Sequence, residues 1–165
     1  MTVQPFLKWP DARLRTAADE VPEITDAVKQ IWDDMIDTMD AMPGVGLAAP
    51  QIGIMLQLAV VDASDKRDRR IRMANPTVLD ASSIMNEHEE ASPNLPGVYA
   101  KVKRPRGVAV RFMDETGMYV RRDFVGLEAT SVQHQIDHLN GKMYFDRVSK
   151  VKRDMLLRRA RKLQT

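Results

Sequence analysis

The sequence predicts an α+β fold in which antiparallel strands pack around a central helix that carries two histidines. Three observations support this prediction. An early segment repeats apolar residues at helical spacing, several short segments have the composition of strands, and His134 and His138 lie four residues apart near the end of another helical segment. The 165 residues fit one domain, residues 1–165, whose basic C-terminal segment 146–165 is mostly helix.

Composition excludes several classes of protein. The net charge is only +2, which argues against a DNA-binding protein, and the absence of cysteine excludes disulfides and thiolate metal ligands. No apolar run approaches the roughly 18 residues of a membrane span, so no membrane contact is expected. Nothing near the start resembles a signal peptide, and we expect a cytoplasmic location.

The first part of the chain predicts a lead-in and a helix. Residues 6–21 suit an extended lead-in with a turn at residues 9–14. The helix follows from apolar residues at three- and four-residue steps: Ile24, Val28, Ile31, Trp32, Met35, Ile36 and Met39. Thr25 suits the N-cap, and Pro43 with Gly44 ends the helix.

The next segment, residues 44–51, is small, apolar and rich in glycine, and it ends at Gln51. It suits either a tight loop packed under a sheet or a backbone that approaches a ligand closely, with Gln51 directed at the ligand. The glycine spacing excludes a phosphate-binding loop, and no Lys-Ser/Thr pair follows.

The middle of the chain predicts strands at residues 56–61 and 71–75, a break at Asn75 and Pro76, and a resumed strand at residues 77–81. Residues 107–113 and 118–124 predict a hairpin, because the intervening Asp-Glu-Thr-Gly suits a turn. A final helix is predicted after Ser149.

The helix predicted at residues 127–140 carries the chemistry. Histidines four residues apart share one helix face, where both imidazoles reach one metal ion. The alternative is a pair of histidines hydrogen-bonded in the core. A zinc-hydrolase helix normally has glutamate after the first histidine, but Gln135 stands there, and its carboxamide lacks a basic oxygen.

Three segments together resemble the motifs of peptide deformylases. Residues 44–51 resemble G-h-G-L-A-A-x-Q (h, apolar), residues 90–97 resemble E-G-C-L-S-x-P-G, and residues 133–138 resemble Q-H-E-x-D-H. The resemblance implies the peptide deformylase fold and removal of the formyl group from the initiator methionine of new proteins. It also implies a divalent metal (Fe²⁺, Zn²⁺ or Ni²⁺) held by the cysteine and both histidines.

From their positions in these motifs, the resemblance implies that Gln51 binds the oxyanion and that His134 and His138 bind the metal. Ser92 stands at the position of the ligand cysteine, Pro93 at that of the backbone oxyanion donor, and Gln135 at that of the acid/base glutamate. A hydroxyl is a poorer ligand than a thiolate, and proline has no N–H. Val45, Gly46, Pro93 and Leu95 are expected to line a peptide groove, and Glu90 and Arg104 to pair.

Three changes at one constellation predict a catalytically disabled protein with no metal or a weakly bound one, which keeps a groove for the N-terminal peptides of nascent chains. One alternative is an active metal-dependent deformylase that uses Ser92 or water as a ligand and takes its base from Glu89, Glu90 or Asp137. Another is an interaction protein that does not use its groove.

The last twenty residues, 146–165, hold eight Lys or Arg and two Asp, so they carry +6 and the rest of the chain −4. A solvated helix face explains this pattern if the apolar residues Val151, Met155, Leu156 and Leu163 pack inward. The resemblance implies a ribosome-docking helix, and we expect this segment to contact RNA phosphates.

Overall fold

The computed structural model describes residues 2–164 and is built on a five-stranded antiparallel sheet. Its strands are β1 (Gly46–Ala48), β2 (Leu58–Val61), β3 (Ile71–Ala81), β6 (Gly107–Met113) and β7 (Tyr119–Val125), in the order β1-β2-β3-β6-β7. A separate antiparallel hairpin consists of β4 (Met85–Glu90) and β5 (Ala100–Pro105). The α+β prediction is confirmed.

Three α-helices pack around these strands: α1 (Asp26–Ala41), α2 (Gly126–Leu139) and α3 (Lys150–Leu163). Short 3-10 helices span Ala12–Arg15, Ala49–Ile52 and Tyr144–Arg147. Thr25 caps α1 by accepting a hydrogen bond from the Val28 N–H, as predicted. Gly141, just after α2, has φ +76°, the left-handed conformation that suits a C-cap glycine.

The two faces of the main sheet bury different helices. One apolar cluster joins α1 to the sheet through Trp32, Met35 and Met39. The other joins the two-histidine helix α2 to the opposite face through Val132 and Ile136. Because α2 lies between the main sheet and the β4-β5 hairpin, its polar side chains become buried in the middle of the molecule.

The break predicted at Asn75 and Pro76 is a shift in register rather than a strand end. β3 runs through both residues, and its pairing with β6 slips between Ala74 and Thr77. Asn75 adopts φ +53°, and its side chain bonds the backbone of Val21, so the irregularity is held by the lead-in. A bulge accommodates a proline that lacks the N–H a regular ladder needs.

The sequence did not predict β4 and β5. Their exposed positions are mostly polar or charged, and β5 buries Arg104 as well as Val102, so the usual apolar alternation is missing. Leu95 and Val98, between these strands, pack against Tyr144 and Phe145 in a third apolar cluster.

Helix α3 begins after the Ser149 cap, as predicted, but of the four residues predicted to pack inward only Leu156 is buried. Val151, Met155 and Leu163 are each more than half exposed, and among the described side chains of α3 only Leu156 and Ala160 are buried. These two residues are at i, i+4 spacing and so lie on one face of α3, and the partly buried Leu157 packs against the same apolar cluster. No helix among residues 2–164 is long and apolar enough to cross a membrane.

Candidate active site

The centre of the site is the pair of imidazoles on α2. The Nε2 atoms of His134 and His138 lie 3.2 Å apart. Two nitrogen ligands of one tetrahedral ion, each about 2.0–2.1 Å from it, lie about 3.3 Å apart. Burial lowers the pKa of His138 well below its ordinary value, so the ring is neutral and has a lone pair for a cation. The imidazole pair therefore fits one divalent ion.

Glu90 orients the first of these rings. Its Oε1 lies 2.7 Å from His134 Nδ1, and Arg104 donates to Oε2 and Oε1 over 2.7 and 2.9 Å. Burial alone would raise the pKa of Glu90, but the hydrogen bonds from His134 and Arg104 outweigh it and lower the pKa. The ionised carboxylate makes Nδ1 the donor, which leaves the Nε2 lone pair for the ion. The predicted pairing of Glu90 with Arg104 is confirmed.

Arg104 also reaches the far side of α2. Its Nη1 donates to Asp137 Oδ2 over 2.9 Å. Arg147 donates to the same carboxylate, from Nε to Oδ2 over 2.6 Å and from Nη2 to Oδ1 over 2.8 Å. Glu90 and Asp137 are thus both held in buried ion pairs, although the sequence offered them as bases. Glu89 is exposed on the wall of the cleft.

Beside His134 lies a cleft of about 390 Å³. Most of the residues predicted for the site meet there: Val45, Gly46, Gln51, Ser92, Pro93, His134 and Gln135. Leu95 does not line the cleft. Its side chain is wholly buried in the third apolar cluster, and its N–H donates to the Ser92 carbonyl.

The strand β1 forms one edge of this cleft. The Val45 carbonyl accepts from the Asp62 N–H, so the strand uses that side to pair with β2. Because successive residues of a strand direct their backbone groups to opposite sides, the N–H and carbonyl of Gly46 face the cleft. A Cβ at Gly46 would lie 2.4 Å from Ser131 Oγ and 2.5 Å from Gln135 Nε2, so only glycine fits.

Gln135 is buried against this edge, with 4% of its surface exposed. Its Oε1 has no hydrogen-bond partner among the described residues, although the side chain lines the cleft. An unpaired buried acceptor costs about 1–3 kcal/mol. The structure therefore presents an acceptor that a donor in the cleft would satisfy.

Gln51 and Ser92 are joined by a residue that the sequence did not single out. Asn94 is fully buried, and its Oδ1 accepts from Gln51 Nε2 and Ser92 Oγ over 2.9 and 3.0 Å. Its Nδ2 donates to the carbonyls of Leu7 and Gln51. This network sets both side chains and ties them to the lead-in. A lone asparagine between two prolines has no spacing that would have revealed it.

The third protein ligand of such an ion cannot be a thiolate, because the sequence has no cysteine. No group of three or more His, Cys, Asp or Glu side chains within residues 2–164 is arranged to hold a metal ion. A third protein ligand would be the neutral hydroxyl of Ser92, which lines the same cleft.

Comparison with known proteins places the fold and site in a family. A model for polypeptide deformylases matches residues 3–154. The chain is 38% identical to the peptide deformylase of Teredinibacter turnerae, covering 98% of this chain and 96% of that protein. It is 40% identical to the peptide deformylase of Hydrogenovibrio crunogenus, covering 93% and 90%.

Solved structures agree. The peptide deformylase of Legionella pneumophila superposes with a TM-score of 0.91 at 37% identity, covering 99% of this chain and 96% of that one. A class I type b peptide deformylase of Acinetobacter baumannii with bound Met-Ala-Ser gives 0.84 at 30% identity, covering 89% and 99%. The chain belongs to the peptide deformylase family.

These relatives correct one expectation from the sequence. Proteins that match nearly the whole chain at 35–40% identity are peptide deformylases, which contradicts the prediction of a catalytically disabled protein. The family is metal-dependent, and the imidazole pair is compatible with a divalent ion. The fold has the cleft, the imidazole pair and the contact of Glu90 with His134, none of which a comparison of Ser92, Pro93 and Gln135 with the motifs takes into account.

Proposed function

We propose that the chain is a metal-dependent deformylase that removes the formyl group from the N-terminal formyl-methionine of nascent proteins. The observation that carries this proposal is the 3.2 Å separation of the Nε2 atoms of His134, which lines the cleft, and His138, which is buried. Hydrolysis breaks the formyl C–N bond with water, giving formate and a protonated N-terminal amine whose nitrogen has gained both water protons. Action on nascent chains implies a cytoplasmic location.

His134, His138 and the Ser92 hydroxyl would hold the ion, Fe²⁺, Zn²⁺ or Ni²⁺. When bound, such an ion polarises the formyl oxygen and activates water near neutral pH. A neutral hydroxyl gives less charge than a thiolate, so we propose weaker metal binding than a Cys-containing site would have.

Gln135 is proposed to orient the attacking water. Its unpaired Oε1 can accept a hydrogen bond from a water molecule in the cleft that His134 also lines. A glutamine carboxamide has this role in some GTPases, where it positions water without taking its proton.

Gln51 is proposed to stabilise the oxyanion. One N–H of its Nε2 donates to Asn94, which leaves the second N–H for the developing negative charge. Pro93 supplies no backbone donor beside it. The Gly46 backbone groups would pair with an extended peptide, and the Met-Ala-Ser complex of the Acinetobacter baumannii relative supports a peptide in this cleft.

The test is release of formate from formyl-Met-Ala-Ser by protein loaded with Fe²⁺, Ni²⁺ or Zn²⁺. We expect turnover that a chelator abolishes and that His134→Ala reduces by at least about 100-fold, the order of one lost catalytic element. Arg121→Ala, on the exposed face of β7, serves as the control and should keep the wild-type rate. A wild-type rate no higher than that of His134→Ala would overturn the proposal.

We also propose that α3 docks the protein on ribosomal RNA. Arg158, Arg159 and Arg161 are exposed on a helix whose buried described side chains are Leu156 and Ala160. Such a helix presents a row of cations without disturbing the core, and contacts of this kind weaken steeply with salt.

Reversing Arg158, Arg159 and Arg161 to glutamate is expected to abolish co-sedimentation with ribosomes at low salt, because like charges then face the phosphates. The matched control reverses Lys66, Arg69 and Arg121, which are exposed elsewhere, and so makes the same change in net charge. Equal loss of sedimentation in both variants would mean that overall charge, not α3, governs binding. Undiminished sedimentation of the α3 variant would overturn the docking proposal.

A further inference from the structure

One face of α2 lines the cleft along its length. Five residues at three- and four-residue steps share this face: Leu127, Thr130, Ser131, His134 and Gln135. Thr130 and Ser131 lie one turn, about 5.4 Å, before His134 and Gln135. Thr130 and Ser131 are therefore within reach of the first side chain of a substrate whose formyl amide lies at His134.

This part of the cleft is lined by side chains that form hydrogen bonds. Thr130 Oγ1 lies 3.0 Å from His88 Nδ1, and Ser131 Oγ donates to the Val45 carbonyl over 3.1 Å. Thr130 and Ser131 are only 5% and 3% exposed, so they are deep in the cleft. We call His88, Thr130 and Ser131 the polar wall. The apolar side chains of Val45 and Leu127 lie nearer the surface, 39% and 46% exposed.

The polar wall has hydrogen-bonding capacity that its internal contacts do not use. Each hydroxyl has one donor and two acceptor positions, and the imidazole has a second ring nitrogen. A side chain that enters this region displaces water from those groups. A thioether replaces the lost hydrogen bonds poorly, whereas a carboxamide both donates and accepts.

We infer that the polar wall makes the cleft prefer an N-terminal residue with an uncharged hydrogen-bonding side chain, glutamine above all, over methionine. This inference rests on the proposed function and refines its substrate class. Formyl-methionine remains a substrate, because its side chain enters the same region and also contacts the apolar side chains of Val45 and Leu127 there. An acidic side chain is disfavoured because Glu89 and Glu90 line the same cleft.

Binding of the unformylated product peptides tests this inference without turnover. We expect Gln-Ala-Ser to bind the metal-loaded protein about tenfold more tightly than Met-Ala-Ser by calorimetry, a discrimination of the size expected for a partly satisfied polar pocket. The His88→Leu, Thr130→Val, Ser131→Ala variant should reverse the order. Thr130→Val alone, which preserves shape, should reduce the preference and serves if the triple variant misfolds.

Formate release from the matching formyl peptides separates this inference from the proposed function. If the wild type binds Met-Ala-Ser as tightly as Gln-Ala-Ser, or if the variants leave the ratio unchanged, the polar wall does not select the substrate, even when formate is released. If Gln-Ala-Ser is preferred but no formyl peptide is hydrolysed, the selectivity stands and the deformylase proposal fails.

Discussion

Combining Ser92→Cys, Pro93→Leu and Gln135→Glu is expected to raise kcat/KM for formyl-Met-Ala-Ser by about 10³ or more. An acid/base group contributes about 10²–10⁴ and an oxyanion donor about 10²–10³, although the two effects are not independent. The thiolate that Ser92→Cys introduces should also raise the affinity for Zn²⁺ by at least about 100-fold, because it adds charge and a soft ligand. Steady-state kinetics and a competitive zinc titration measure these two effects.

Single variants and a surface control show which substitution causes the gain in kcat/KM and which causes the gain in zinc affinity. Gln135→Glu alone should shift the pH profile of kcat as the new carboxylate titrates, with little change in zinc affinity. Ser83→Cys places a thiol on the exposed surface and should leave the affinity unchanged. If the triple variant gains neither affinity nor rate, the three positions do not surround the reacting group as proposed.

Arg104→Leu is expected to destabilise the protein by about 3–5 kcal/mol, the cost of leaving a buried charge without its partner. The Arg104 side chain is 1% exposed and pairs with both Glu90 and Asp137, which are 5% and 7% exposed. Its loss leaves Glu90 with the hydrogen bond from His134 Nδ1 and Asp137 with the ion pair to Arg147. Urea denaturation gives the free energy of unfolding.

The control for Arg104 is an arginine in an exposed pair. Arg121 lies 3.8 Å from Asp123, and their side chains are 63% and 78% exposed. Arg121→Leu should change the free energy of unfolding by less than about 1 kcal/mol, because solvent screens the pair. A loss of that small size for Arg104→Leu would show that the buried network contributes little to stability.

The elements that the sequence predicts well are those whose pattern is local. Thr25 and the apolar steps of α1, the Asp-Glu-Thr-Gly turn between β6 and β7, and the Ser149 cap of α3 each depend on neighbouring residues. Strands β4 and β5 escaped prediction because Arg104, a charged residue, takes a core position there. A charge at that position is stable only because Glu90 on the paired strand β4 and Asp137 on α2 both form ion pairs with it.

Local residue patterns revealed the family motifs and the four-residue spacing of His134 and His138, and they marked Ser92, Pro93 and Gln135 as candidate site residues. The placement of these residues depends on long-range packing. The fold brings His134 and His138 Nε2 to 3.2 Å, joins Gln51 and Ser92 through Asn94, and buries Leu95 away from the cleft. Helical spacing alone puts side chains on one face, but burial and partners from remote segments set their orientation, protonation and access to substrate.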